Sequence, residues 1–120
     1  MNRMEEDIMK KIQYFSIIFL VAGTAGLYAQ TAPKGDAAKG KETFNQQCGL
    51  CHDATSTDMK MAPGLKGLFK RPKLSTNGKP TNDANVLDKI MTGGNGMPPF
   101  KDMGLSAGDV ANLMAYLKTL

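Results

Sequence analysis

The chain has 120 residues, 15 Lys and Arg against 11 Asp and Glu, one His, two Cys and no Trp. That length admits one folded domain and hardly two, and two cysteines exclude a scaffold stapled by several disulfides. Only four aromatic residues (Phe44, Phe69, Phe100, Tyr116) lie beyond residue 30, so the remaining ~90 residues need a disulfide, a metal or a cofactor to complete a core.

Lys10 and Lys11 precede the apolar run Tyr14 to Ala22, and the small residues Gly23-Thr24-Ala25-Gly26 follow. Positive, then apolar, then small is the layout of a secretory signal peptide. Residues 1–29 are read as that signal, with cleavage after Ala29. The acidic Glu5-Glu6-Asp7 suits a positive first region poorly, which makes Met9 a better start. An uncleaved N-terminal membrane anchor is the rival reading, but the apolar run falls well short of the roughly 20 residues a spanning helix needs. The expectation is an exported protein, periplasmic or otherwise extracytoplasmic, with no stable membrane insertion after cleavage.

Beyond residue 29 the balance is 12 basic to 8 acidic residues, and the basic ones are scattered Lys. Nucleic-acid binding calls for a denser basic stripe, so no nucleic-acid partner is expected. A modest positive field steering an acidic protein is the better use of this charge.

Residues 30–35 read as a flexible segment and 36–120 as the folded domain. Ala37, Gly40, Phe44 and Cys48 recur at helical spacing behind Asp36, a plausible N-cap. From Asp53 to Thr81 Pro and Gly are scattered without a period, which predicts mostly loop. Val86, Leu87, Ile90 and Met91 mark one face of a short helix stopped at Gly93-Gly94. Gly93 to Phe100 is a Gly/Pro-rich turn. Ser106 and Asp109 form a capping-box signal before a helix with an apolar face at Val110, Leu113, Met114 and Leu117. No segment alternates with period two, so the class is all-α with long loops. Loops that long in so small a domain must wrap something.

Both cysteines and the single histidine meet in Cys48-Gly49-Leu50-Cys51-His52. Two thiols at this spacing can add to the two vinyl groups of one haem, and the next residue then offers an imidazole to the iron. A structural zinc needs four ligands, and this chain has three Cys and His in all. A thioredoxin-like dithiol belongs in a βαβ pattern, which is absent.

At this point the sequence resembles the class I cytochrome c family over most of Gly35 to Leu120. Gly35 to Phe44 looks like that family's N-terminal helix. Ala62-Pro63-Gly64-Leu65-Lys66-Gly67-Leu68 looks like its Gly-Pro-x-Leu-x-Gly-Leu loop, with Ala62 where Gly is usual. Gly93-Gly94-Asn95-Gly96-Met97-Pro98-Pro99-Phe100 resembles its Gly-x-x-x-Met-Pro-x-Phe loop, and Asp109 to Leu117 its C-terminal helix.

The resemblance implies a small cytochrome c fold, three to five helices with long loops around one covalently attached haem c. Cys48 and Cys51 would carry the thioether bonds, and His52 and Met97 would be the axial iron ligands. The Pro63 carbonyl would accept the ring N–H of His52, fixing its tautomer. Tyr116 would face Gly40 across the helix crossing. Of the six methionines beyond residue 30, Met59 and Met61 lie close to His52 in sequence, Met91 and Met114 fall on apolar helix faces, and Met103 is held in reserve. The tryptophan that many relatives place near a haem propionate is missing; Lys73, Lys79 or Asn77 could replace it. Lys66, Lys70, Arg71, Lys73, Lys79 and Lys101 are candidates for a basic rim at the haem edge.

The implied function is one-electron transfer by a soluble, monomeric carrier that is not an enzyme. Its partners would be redox proteins: an oxidase, a quinol-oxidising complex or a dehydrogenase. Two alternatives stand beside it, an electron-entry subunit of a larger complex and a haem-based ligand sensor.

Overall fold

The computed structural model describes residues 5–11 and 34–120. The chain divides into two units, Met1–Gln30 and Thr31–Leu120. In the first, residues 5–11 are helical. The expected apolar leader, its cleavage point and residues 30–33 of the expected flexible segment lie outside the described residues. Among those described, no helix is long and apolar enough to cross a membrane.

The second unit holds three α-helices, α1 (Ala37–Gln47), α2 (Asp83–Thr92) and α3 (Ala107–Leu117), with 3-10 turns at Leu68–Lys70 and Phe100–Asp102. Among the described residues there is no β-strand, only isolated bridges such as Gly94–Met97. The all-α expectation holds. Each helix starts where a side chain can satisfy its free N–H groups. Asp36 Oδ1 accepts from Ala38 N at 2.8 Å, and Asn82 Oδ1 accepts from Asn85 N at 2.8 Å. At α3 the capping box is complete, with Asp109 N donating to Ser106 Oγ and Ser106 N to Asp109 Oδ2.

Helices α1 and α3 cross in close contact. Gly40 is buried in that crossing, and a Cβ there would come within 1.9 Å of the Asn112 carbonyl oxygen and 2.8 Å of Tyr116 Cβ. The Phe44 and Tyr116 rings meet edge to face, 5.5 Å between centroids. Asp36 N donates to Asn112 Oδ1 at 2.7 Å, tying the start of one helix to the side of the other. Gly35 closes against the same helix, where a Cβ would strike the Ala111 carbonyl. Pairing of Gly40 with Tyr116 was expected from the sequence. Leu87 is the exception to the predicted faces: it is 37% exposed, while Val86 and Ile90 are buried. Val86 and Ile90 stand four residues apart on one stripe, and Leu87 is rotated off it.

The buried apolar side chains are Phe44, Leu68, Leu74, Val86, Ile90, Phe100, Leu113 and Leu117, with no buried polar residue among those described. Most of them face a single cavity.

Three expectations follow. Gly40→Ala forces the helices apart and destabilises the purified protein by about 1–3 kcal/mol. Gly108→Ala, where a Cβ would meet only Ser106 Oγ at 3.6 Å, is neutral or stabilising because Ala is the better helix former. Paired thermal unfolding curves check the opposite signs. Hydrogen bonds from the Ser106 side chain and backbone hold the Asp109 carboxyl below its ordinary range. A carboxyl depressed on folding stabilises above its unfolded pKa, about 4, and loses that contribution as pH falls through the folded value. Asp109→Asn should therefore lower the unfolding midpoint at neutral pH, with the gap from wild type closing as the solution is acidified below about pH 4.

Candidate haem pocket

The chain leaves α1 through a tight extra turn, in which Gly49 N donates to Phe44 O (2.8 Å), Cys51 N to Cys48 O (3.1 Å) and His52 N to Cys48 O (2.9 Å). This winding puts Cys48, Cys51 and His52 on the wall of one cavity of about 370 Å³. Pro63 and Leu65 come from the following loop, Val86 and Ile90 from α2, Met97 and Phe100 from the segment after it, and Leu117 from α3. Six of the eight buried apolar side chains are wall residues; Phe44 and Leu113 are not. No Asp or Glu lines the cavity, whereas Arg71, Lys73 and Lys89 do.

The loop after His52 folds back on the motif. Ala62 N donates to Cys51 O (3.0 Å) and Leu65 N to Asp53 O (2.7 Å). Gly64 is buried so tightly that a Cβ would lie 2.2 Å from the Ser56 carbonyl oxygen. These bonds bring the Pro63 carbonyl to 2.8 Å from His52 Nδ1. A carbonyl only accepts, so Nδ1 is the donor, and in the neutral ring that leaves the lone pair on Nε2. Burial, aided by the neighbouring Cys51, pushes the Cys48 thiol up to about 11. An environment that disfavours thiolate suits a neutral sulfur, and a thioether is one.

Met97 is presented by a different device. Gly94 N donates to Met97 O (2.9 Å) and Met97 N to Gly94 O (3.2 Å), closing a two-residue turn at Asn95 and Gly96, whose φ values are 55° and 86°. Positive φ at both central residues is the conformation an Asn-Gly pair favours. Met61 and Met103 also line the cavity but are 72% and 49% exposed, whereas Met97 is half-buried. Met91 and Met114 pack against the apolar core, and Met59 is exposed.

The proposed basic rim is only partly free. Lys79 pairs with Asp88 at 3.1 Å, and neither Lys79 nor Asn77 lines the cavity, while Lys73 does. Arg71 turns inward, its Nη2 donating to Gly64 O (2.9 Å) and Lys66 O (2.6 Å) across the Pro63 loop. Lys89 escaped notice in the sequence, yet its Nζ donates to Gly93 O (2.9 Å) and Gly94 O (2.8 Å). A Lys four residues before a helix-ending Gly was the available signal.

Comparison with known proteins places the chain in a family. The family model described as cytochrome c oxidase, cbb3-type, subunit III matches residues 35–117. Cytochrome c-554(547) of Halothiobacillus neapolitanus is 35% identical over 89 residues, 72% of this chain and 98% of that protein. The cytochrome bc1 complex cytochrome c subunit of Corynebacterium diphtheriae is 28% identical over 92 residues. That alignment takes in 77% of this chain but only 30% of the subunit. The structure of cytochrome c6 from the diatom Phaeodactylum tricornutum matches with a TM-score of 0.55 at 25% identity, over 71% of this chain and 93% of that one. The chain thus belongs to the cytochrome c family, as a small class I c-type cytochrome whose family implies haem c and electron transfer rather than enzymatic catalysis.

Proposed function

We propose that the protein is an extracytoplasmic monohaem electron carrier. Cys48 and Cys51 would hold one haem covalently, and His52 and Met97 would ligate its iron. The observation that carries this reading is the His52 ring fixed by the Pro63 carbonyl at 2.8 Å, on the wall of the cavity that Cys48, Cys51 and Met97 share. Fit to the group rests on the wall itself: its apolar side chains suit a flat macrocycle, and three cations without a carboxylate suit its two acidic substituents. Bound there, haem c supplies a one-electron ferric/ferrous couple.

The chain's residues do the rest. Pro63, held by the loop bonds to Cys51 and Asp53, orients the imidazole and raises its basicity. Met97 offers a neutral thioether, which favours the reduced state relative to a second His. Leu68, Leu74, Val86, Ile90 and Phe100 give the cavity an apolar wall, and an apolar surround penalises the extra positive charge of the oxidised state. His52 and Met97, each held by its own loop, would leave little to rearrange on electron transfer. Redox proteins are the partners, and a monomer is the working form.

Likeness to the bc1 cytochrome c subunits favours a second reading, a domain that works inside a respiratory complex. Gel filtration of a gently solubilised native extract separates the two: a free carrier elutes at the mass of a small monomer, a complex subunit with its complex.

Met97→Ala should abolish the near-infrared methionine-to-ferric-iron band and open the ferrous protein to carbon monoxide. In the wild type the band is present and carbon monoxide binding at neutral pH is slow and incomplete. Rapid stoichiometric binding by the wild type would favour a ligand sensor instead.

A further inference from the structure

Lys89 stands in the last turn of α2 with its ammonium on two successive carbonyls, Gly93 at 2.9 Å and Gly94 at 2.8 Å. A lysine that merely caps a helix reaches the helix's last carbonyls; this one reaches beyond them. Gly94 lies past the end of α2, and its carbonyl is also the acceptor for Met97 N at 3.2 Å, while Gly94 N donates to Met97 O at 2.9 Å. Gly93 faces the Met97–Pro98 peptide so closely that a Cβ would come within 2.4 Å of Met97 O. Its N–H in turn donates to Lys89 O at 2.9 Å. The ammonium, Gly93, Gly94 and the Met97 backbone form one closed network. No protein carboxylate competes for it: among the described residues the ion pairs are Lys79–Asp88 and Lys118–Asp83.

We propose that Lys89 is a positioning residue for Met97, a cationic latch that holds the Met97 turn against the end of α2 and so keeps the thioether in place. This rests on the reading of Met97 as an iron ligand. The other side-chain tie on the turn is a long bond from Asn95 Nδ2 to Thr76 O, 3.2 Å, so the latch carries much of the restraint. A charged donor bonds a carbonyl more strongly than a neutral one, and it polarises the Gly94 amide that Met97 N also uses. Removing the ammonium cheapens opening of the turn. An added ligand that needs the open turn then binds more tightly, in proportion to the larger open population.

The test uses the ferric holoprotein and imidazole, which competes with a thioether for the iron, followed through the near-infrared band. Lys89→Met keeps the aliphatic stem and deletes the ammonium. It should lower the apparent imidazole dissociation constant about tenfold or more, with far-ultraviolet helicity unchanged. Lys89→Arg should restore most of the wild-type value, because a guanidinium can still donate to both carbonyls. Lys39→Met, on exposed α1 surface, should leave the constant unchanged and so controls for loss of one charge. A pure capping role would lower the unfolding midpoint without moving the imidazole constant; that result, or an equal shift in Lys39→Met, overturns the proposal. Should Lys89→Met fail to hold its fold, Lys89→Gln carries the same comparison. Absence of the band in the wild type would overturn the Met97 assignment itself, and is seen before any variant is made.

Discussion

The constraint behind the whole structure is that its apolar residues make a wall rather than a filling. A cleft of about 370 Å³ walled by apolar side chains leaves those side chains without the close-packed partners that a small domain's core supplies. A chain with so few large side chains can tolerate such a cavity only as the seat of a bound apolar group. The same constraint explains the long irregular segment from His52 to Thr81. Its turns are held by backbone bonds to the motif and to one another, because it must follow the outline of a guest rather than pack on itself.

The solid part of the domain is the α1–α3 crossing. Phe44 and Leu113, the two buried apolar residues that do not line the cavity, lie on these two helices. Gly40 lets the backbones touch, and Asp36 is bonded to Asn112. This joint also aims the chemistry. Cys48 is the C-cap of α1, so the direction of that helix sets where the Cys48–His52 turn emerges.

What could be read from the sequence was what local chemistry dictates. The C-x-x-C-H spacing, the Ser106–Asp109 box and the Asp36 cap each depend on residues within four positions, and each is present in the structure. The Pro63 contact with His52 spans 11 residues and was legible only through resemblance to a known family. Arg71 and Lys89 were misread or missed for a common reason. Composition counts a cation as surface charge, whereas these two spend their donors on backbone carbonyls whose location depends on the fold. Leu87 shows the converse limit: four apolar residues in a six-residue window look like one face until the partner surface leaves one of them exposed.

The use of cations on carbonyls has an electrostatic logic on the proposed reading. The loop bearing Pro63 is strapped by Arg71 and the turn bearing Met97 by Lys89, and neither side chain is in an ion pair with a carboxylate. Carboxylate partners would place negative charge beside an iron centre and favour its oxidised state. Carbonyl partners give comparable directional restraint without that charge, so the net positive field of the straps works with the thioether toward the reduced form. Positive charge at the cavity wall also lowers the cost of burying an acidic substituent of the guest. Holding the ligand loops and setting the charge around the iron are therefore one design choice, made by putting arginine and lysine where a purely structural loop would do with neutral donors.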